Sequence, residues 1–163
     1  MCGAERIFAA GHESLESYPL YTTILEMRSE ATVDRECLKS LFPVTEATVS
    51  QWRGIYNEKM RPVDNAATMT AQDEKWILQS GGAYFVHEEG QLLGIGWLED
   101  TTLQAVAAAR SGAGKMVMNT LMSLIEGAQM RLEVASTNEK AIHLYEKMGF
   151  FKTKEIRRWY KIW

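Results

Sequence analysis

Residues 132–150 read LEVASTNEKAIHLYEKMGF, and the reading of this stretch decides the fold. Leu132-Glu133-Val134 is a short apolar run with a β-branched residue, the composition of a strand. Ser136-x-x-Glu139 then has the capping-box form that opens a helix, because a hydroxyl and a carboxylate at that spacing satisfy free backbone N–H groups. Ala141, Leu144, Tyr145 and Met148 recur at i, i+3, i+4 and i+7, one apolar stripe. Gly149 supplies the left-handed residue that stops a helix, and Phe150 the apolar contact beyond it. The spacing predicts a strand running into a helix over about 138–148, with Glu133 on the strand and Tyr145 on the inward face of the helix. Singly, the glutamate reads as a solvent-facing strand residue and the tyrosine as core. Their order in the chain is what carries information.

That order, L-E-V-x-x-x-N-x-x-A-x-x-L-Y-x-x-x-G-F, resembles the C-terminal motif of the GNAT superfamily of acetyl-CoA-dependent N-acetyltransferases. Leu132, Glu133, Val134, Asn138, Ala141, Leu144, Tyr145, Gly149 and Phe150 fill its fixed positions. Ile156-Arg157-Arg158-Trp159-Tyr160 looks most like the stretch that follows the helix in ribosomal-protein alanine N-acetyltransferases. The resemblance implies an α/β layered fold, a mixed central sheet of about six to seven strands flanked by helices, antiparallel in its first half and β-α-β-α in its second. It also implies acetyl-CoA as cosubstrate, no metal, and a hydrogen bond from Asn138 to the cofactor arm.

A second feature lies upstream at Ala109-Arg110-Ser111-Gly112-Ala113-Gly114-Lys115, followed by Val117, Leu121, Leu124, Ile125 and Ala128 on one helical face. A glycine loop opening a helix aims unpaired N–H groups and the positive end of the dipole at whatever sits there, and coenzyme A carries a pyrophosphate for that position. The cofactor-binding expectation therefore covers the strand end Val106, Ala107 and Ala108, and the loop Arg110, Ser111, Gly112, Ala113, Gly114 and Lys115. The loop is similar to the superfamily's R/Q-x-x-G-x-G/A signature, with Ala109 in its first position. It also nearly spells a nucleoside-triphosphate P-loop. Ala109 replaces that motif's first glycine, however, and Met116 stands where a hydroxyl must hold magnesium, which excludes that chemistry.

Composition bounds the remainder. The 163 residues are 46% hydrophobic, long enough for one domain with its own core. Two cysteines, Cys2 and Cys37, give neither a disulfide framework nor a zinc pattern. No signal peptide or membrane span is read, so the expectation is cytoplasmic, without a membrane partner. Charge divides unevenly: residues 1–100 carry 8 basic and 16 acidic side chains, residues 101–163 carry 10 and 5. The basic part holds the glycine loop, as a polyanionic cofactor requires, and the acidic part would attract a cationic amine. Lys152, Lys154, Arg157, Arg158 and Lys161 read as a basic edge strand, since no nucleic-acid motif accompanies them.

Along the chain, Ile24–Arg28 reads as a first strand, Val33–Leu41, Thr48–Met60 and Asp73–Gln79 as helices, and Ala83–Glu88 with Gln91–Leu98 as a hairpin turning at Glu89-Gly90. Leu103–Ala108 feeds the glycine loop, and the last strand runs from about Lys152 to Trp163. Residues 1–21 form an extension and 22–163 the single domain. Relatives continue with a seventh strand after the Arg-Arg segment, so the stretch Arg6–Ala10 or a neighbouring subunit, in a homodimer, is expected to supply one.

The expected chemistry is direct attack of a primary amine on the thioester. Glu133 serves as base, directly or through water, with Glu99 in reserve. Tyr145 stabilises the leaving thiolate, and a phenol of pKa ~10 facing a thiol of ~8.5 gives up its proton only uphill. His12, His87 and His143 are not needed. The acceptor is a peptide N-terminus or a small amine, including an antibiotic. The alternative is a non-catalytic acyl-CoA-binding module serving as sensor or scaffold.

Overall fold

A computed structural model describes residues 7–29, 33–63, 66–125 and 127–162. In chain order the first elements are strands β1 (Phe8–Ala10), β2 (Leu20–Ser29) and β3 (Ser40–Pro43), then helices α1 (Val49–Met60) and α2 (Asp73–Ser80). Strands β4 (Ala83–Glu88), β5 (Gln91–Glu99) and β6 (Thr102–Ala108) follow, then α3 (Gly114–Met122), β7 (Arg131–Ala135), α4 (Glu139–Lys147) and β8 (Phe150–Lys161).

The hairpin at Glu89-Gly90 forms because both residues take positive φ, 49° and 78°, the backbone of a tight two-residue turn matched to strand twist. From it grows an antiparallel meander, β3-β4-β5-β6, and β6 then pairs with β7 in parallel across the α3 crossover. The full sheet has 8 strands in the order β1-β8-β2-β7-β6-β5-β4-β3. One core joins α3 and α4 to one face, around Met118, Leu121, Leu132, Val134 and Tyr145. A second joins α1 and α2 to the other face, around Trp52, Tyr56, Ile77, Phe85 and Ile95. Trp52 is fully buried, stacks on Tyr56 at 5.9 Å and donates its indole N–H to the Tyr84 carbonyl at 3.1 Å. At Gly94 an added Cβ would sit 2.5 Å from the Ala107 carbonyl and 2.7 Å from Val117 Cγ2, so the missing side chain is what lets α3 lie close to the sheet.

Three expectations need correction. The sheet has eight strands, not six to seven, because Phe8–Ala10 joins one edge and Ser40–Pro43, which no reading of the sequence made a strand, joins the other. Phe8–Ala10 does pair with Lys161, Tyr160 and Trp159 on the outer edge of β8, while Arg6, Cys2 and Trp163 lie outside the described residues. The longer β2 is inserted between β7 and β8, so those two strands are consecutive through α4 yet not neighbours. Second, Val33–Leu41 is not a helix but a 3-10 turn, Arg35–Cys37, leading into β3. Side chains of α3 replace the helical hydrogen bonds: Asn119 Oδ1 accepts from the Asp34 N–H at 2.8 Å and Thr120 Oγ1 from the Lys39 N–H at 3.1 Å. Third, α3 stops at Met122, and Leu124 is exposed rather than on the buried face.

Candidate active site

β6 and β7 are hydrogen-bonded only at Thr102–Arg131 and Leu103–Leu132. Beyond that point β6 runs on to Ala108 and β7 to Ala135 without pairing, and a cleft of about 1000 Å³ opens between them. From Gln104 onward the β7-facing edge of β6 has no strand partner, and unpaired backbone donors and acceptors at such an edge want a ligand or water.

Glu133 and Tyr145 both line this cleft, as do Val106, Ala107 and Ala108 at the end of β6. Of the loop, Arg110, Ser111, Gly112, Gly114 and Lys115 line it, whereas Ala113 is buried in the α3–α4 core. Gly112 has φ 82° and turns the chain into α3, whose N-terminus has no side-chain cap. Its first N–H groups are therefore open toward the cleft mouth. An added Cβ on Gly114 would meet Leu144 Cδ2 at 2.9 Å, so this glycine lets α3 approach α4. Arg110 is already engaged, donating to Gln91 Oε1 at 2.9 Å and lying 3.8 Å from Glu88.

The cap of α4 differs from the expected capping box. Asn138 is the N-cap, accepting from the Ala141 N–H at 3.3 Å, and the helix begins at Glu139. Ser136 instead bonds β2, accepting from the Thr23 N–H at 3.0 Å and lying 3.1 Å from the Thr22 hydroxyl. Asn138 lines the cleft as well, with its amide nitrogen left free among the described residues. Tyr145 is 8% exposed, packs against Phe150 at 5.7 Å, and its hydroxyl has no protein partner among the described residues. Burial pushes its pKa up to about 12. At neutral pH the phenol is a hydrogen-bond donor and a poor acid.

Glu133 is exposed on β7, with its side chain on the face opposite the α3–α4 core. Directly across the ladder stands Glu26, buried on β2. Its carboxylate accepts from Thr153 Oγ1 at 2.7 Å and contacts Arg28 at 3.0 Å, Arg131 at 3.3 Å and Lys154 at 3.6 Å. The Thr153 hydrogen bond first, then Arg28 and Lys154, outweigh burial and hold its pKa down at about 2. Arg131 also donates to Thr102 Oγ1 at 3.3 Å, tying β6 to β2 through Glu26 where the cleft closes. Glu99 does not line the cleft; at the far end of β5 it accepts from Gln104 Nε2 at 3.0 Å.

Sequence reasoning missed the cations. Lys140 and Lys147, with His143 between them, line the cleft from one side of α4, and Lys59 and Arg157 line it from α1 and β8. The i, i+3, i+7 spacing of the first three was legible, but what they face was not. Glu133 is the only acidic side chain lining the cleft among the described residues. No group of three or more His, Cys, Asp or Glu side chains is placed to hold a metal ion among the described residues, and no described helix is long and apolar enough to cross a membrane.

A family model for the acetyltransferase (GNAT) family matches residues 49–150. A search of curated proteins found no match. Among solved structures, a GNAT-family protein from Novosphingobium aromaticivorans superposes with TM-score 0.59 at 15% identity, over 97% of this chain and 74% of that one. A GNAT-family acetyltransferase from Colwellia psychrerythraea gives 0.57 at 14%, over 95% and 64%. The chain thus spans about two thirds to three quarters of the length of these two. AAC(6')-Iy, solved with the bisubstrate analogue CoA-S-monomethyl-acetylneamine, gives 0.50 at 13%, over 72% of this chain and 93% of that one. At these identities the likeness is one of fold.

Proposed function

The chain belongs to the acetyltransferase (GNAT) family, and from that premise we propose that it transfers an acetyl group from acetyl-CoA to a primary amine by direct attack on the thioester. One observation carries the reading: Glu133, Tyr145 and the open N-terminus of α3 converge on a single cleft, where β6 and β7 part. The first N–H groups of α3, with Lys115, Lys140 and Lys147, hold the cofactor's phosphates. The unpaired edge of β6 receives the amides of the cofactor arm, and the small side chains of Ala107, Ala108 and Ala109 let that arm approach the backbone.

Glu133 takes a proton from the bound ammonium, directly or through water, and the freed nitrogen attacks the acetyl carbonyl carbon. A C–N bond forms, the C–S bond breaks with its electron pair leaving on sulfur as the CoA thiolate, and the surplus proton on the nitrogen passes to solvent. Backbone N–H groups along β6 stabilise the oxyanion in between. With the Tyr145 pKa at about 12, moving its proton to a thiolate of pKa ~8.5 is uphill by roughly 5 kcal/mol, so Tyr145 donates a hydrogen bond and solvent supplies the proton. The ribosomal-protein alanine class, to which the Arg157-Arg158 stretch is similar, makes a peptide N-terminus one acceptor to test.

The experiment is CoA release from acetyl-CoA over a panel of peptides, amino acids, polyamines and aminoglycosides, scored by product mass. Release with one acceptor class is the expected result. Tight binding of acetyl-CoA with no release on any acceptor would overturn transfer and leave a binding module.

A further inference from the structure

On the acceptor side, β8 brings four cations into one short stretch, and three of them are occupied. Lys152 and Arg158 both pair with Glu155, at 3.1 Å and 3.2 Å, and Lys154 reaches the buried Glu26 at 3.6 Å. Arg157 makes no ion pair among the described residues, yet it lines the cleft. Its register explains the direction. Ile24 pairs with Ala135 on one side and with Arg157 on the other, and Glu26 pairs with Glu133. Directly opposed residues share a face of the sheet. Arg157 and Glu133 therefore stand on the same face, separated by the single strand β2, with Cα atoms about 12 Å apart from strand spacing and rise. Ile24 and Trp159 form an apolar floor beside them, and Lys59 adds a second positive charge from the end of α1. A small molecule bridges such a span.

The charge of the cleft points the same way. The phosphates of a bound cofactor would compensate Lys115, Lys140 and Lys147 at the mouth, but not Arg157 and Lys59, where Glu133 is the only facing anion among the described residues. A polycationic amine would meet like charge there, at an energetic cost. From this, and resting on the acetyltransferase reading, we propose that the acceptor carries a carboxylate as well as an amine: the carboxylate docks on the Arg157 guanidinium while the amine lies at Glu133. The planar fork of arginine matches a carboxylate in two parallel hydrogen bonds, which a lysine does not reproduce.

The test compares acceptors that differ only in that group. Alanine, β-alanine and the dipeptide Ala-Ala are each set against their carboxamides, with spermidine and kanamycin as polycations. The readout is kcat/KM corrected for the free-amine fraction. In the unaltered protein at least one carboxylate form is favoured over its amide by roughly ten- to a hundredfold, the worth of a charge-assisted hydrogen-bonded pair. Arg157→Gln abolishes that preference by raising KM for the carboxylate form with kcat and acetyl-CoA affinity kept, and Arg157→Lys restores part of it. Arg157 is solvent-exposed on its strand, so the fold is retained. Equal use of acid and amide, preference for spermidine or kanamycin, or equal loss on both forms in Arg157→Gln would overturn the carboxylate site while leaving acetyl transfer standing. Absence of turnover on every acceptor, with acetyl-CoA bound, overturns transfer itself and this proposal with it.

Discussion

The two walls of the cleft are built in opposite ways. The cofactor wall consists of the end of β6, the loop into α3 and the inner side of α4, all within residues 103–147, and each part is a local motif: a glycine turn, an uncapped helix start, a capped helix. The acceptor wall gathers Ile24, Tyr56, Lys59, Glu133 and Arg157 from four separate elements. Backbone groups dominate the first wall and side chains the second. A wall of that first kind holds the same ligand through many changes of sequence, while the second can change its preference one side chain at a time.

Variants can separate the walls. The largest effect is expected from Glu133→Gln, which removes the only carboxylate facing the cleft among the described residues and lowers kcat by roughly 100- to 10,000-fold. Acetyl-CoA affinity, read by calorimetry, stays unchanged; if both fall together, the two walls are not independent. Tyr145→Phe comes next. Losing one hydrogen bond to a developing thiolate costs roughly ten- to a hundredfold in kcat. Because the phenol pKa is about 12, the rate profile below pH 10 keeps its shape in that variant, and a basic limb that disappears would return Tyr145 to the role of acid.

The smallest effect concerns the apex where the walls meet. Glu26 has its pKa lowered from 4.5 to about 2, so the folded state binds fewer protons there than the unfolded one. Its contribution to stability is complete above pH 4.5 and is lost as pH falls through about 2. In urea melts, Glu26→Gln removes that part of the acid dependence. An unchanged slope of stability against pH between 4.5 and 2 would show that Arg28, Arg131 and Lys154 do not hold the carboxylate as described.

The same contrast governs what the sequence disclosed. The strand–helix unit at 131–147, the hairpin at Glu89-Gly90 and the loop into α3 were legible because each is specified by neighbours in the chain. Val33–Leu41 misread as helix because the groups that claim its backbone, Asn119 and Thr120, lie more than eighty residues away. Ser136 has the chemistry of a cap, but its hydroxyl goes to Thr22 and Thr23 and leaves the role to Asn138. Arg157 looked like one of several edge cations, and only the pairing of its neighbours with Glu155 and Glu26 singles it out. The acidic first half of the chain also gave a misleading picture of the acceptor wall, since none of its carboxylates lines the cleft among the described residues.

The position of β2 has a consequence for how the molecule is made. Both of its partners, β7 and β8, follow it by more than a hundred residues, so during synthesis this ten-residue strand leaves the ribosome long before anything exists for it to pair with. The meander and α3 can gather first, while β2 waits as an open strand with apolar residues such as Leu25 and Met27 uncovered. The cleft is completed only when the last strand arrives, so a chain interrupted before β8 lacks the Arg157 and Trp159 side of its acceptor wall and keeps an exposed edge open to association with its neighbours.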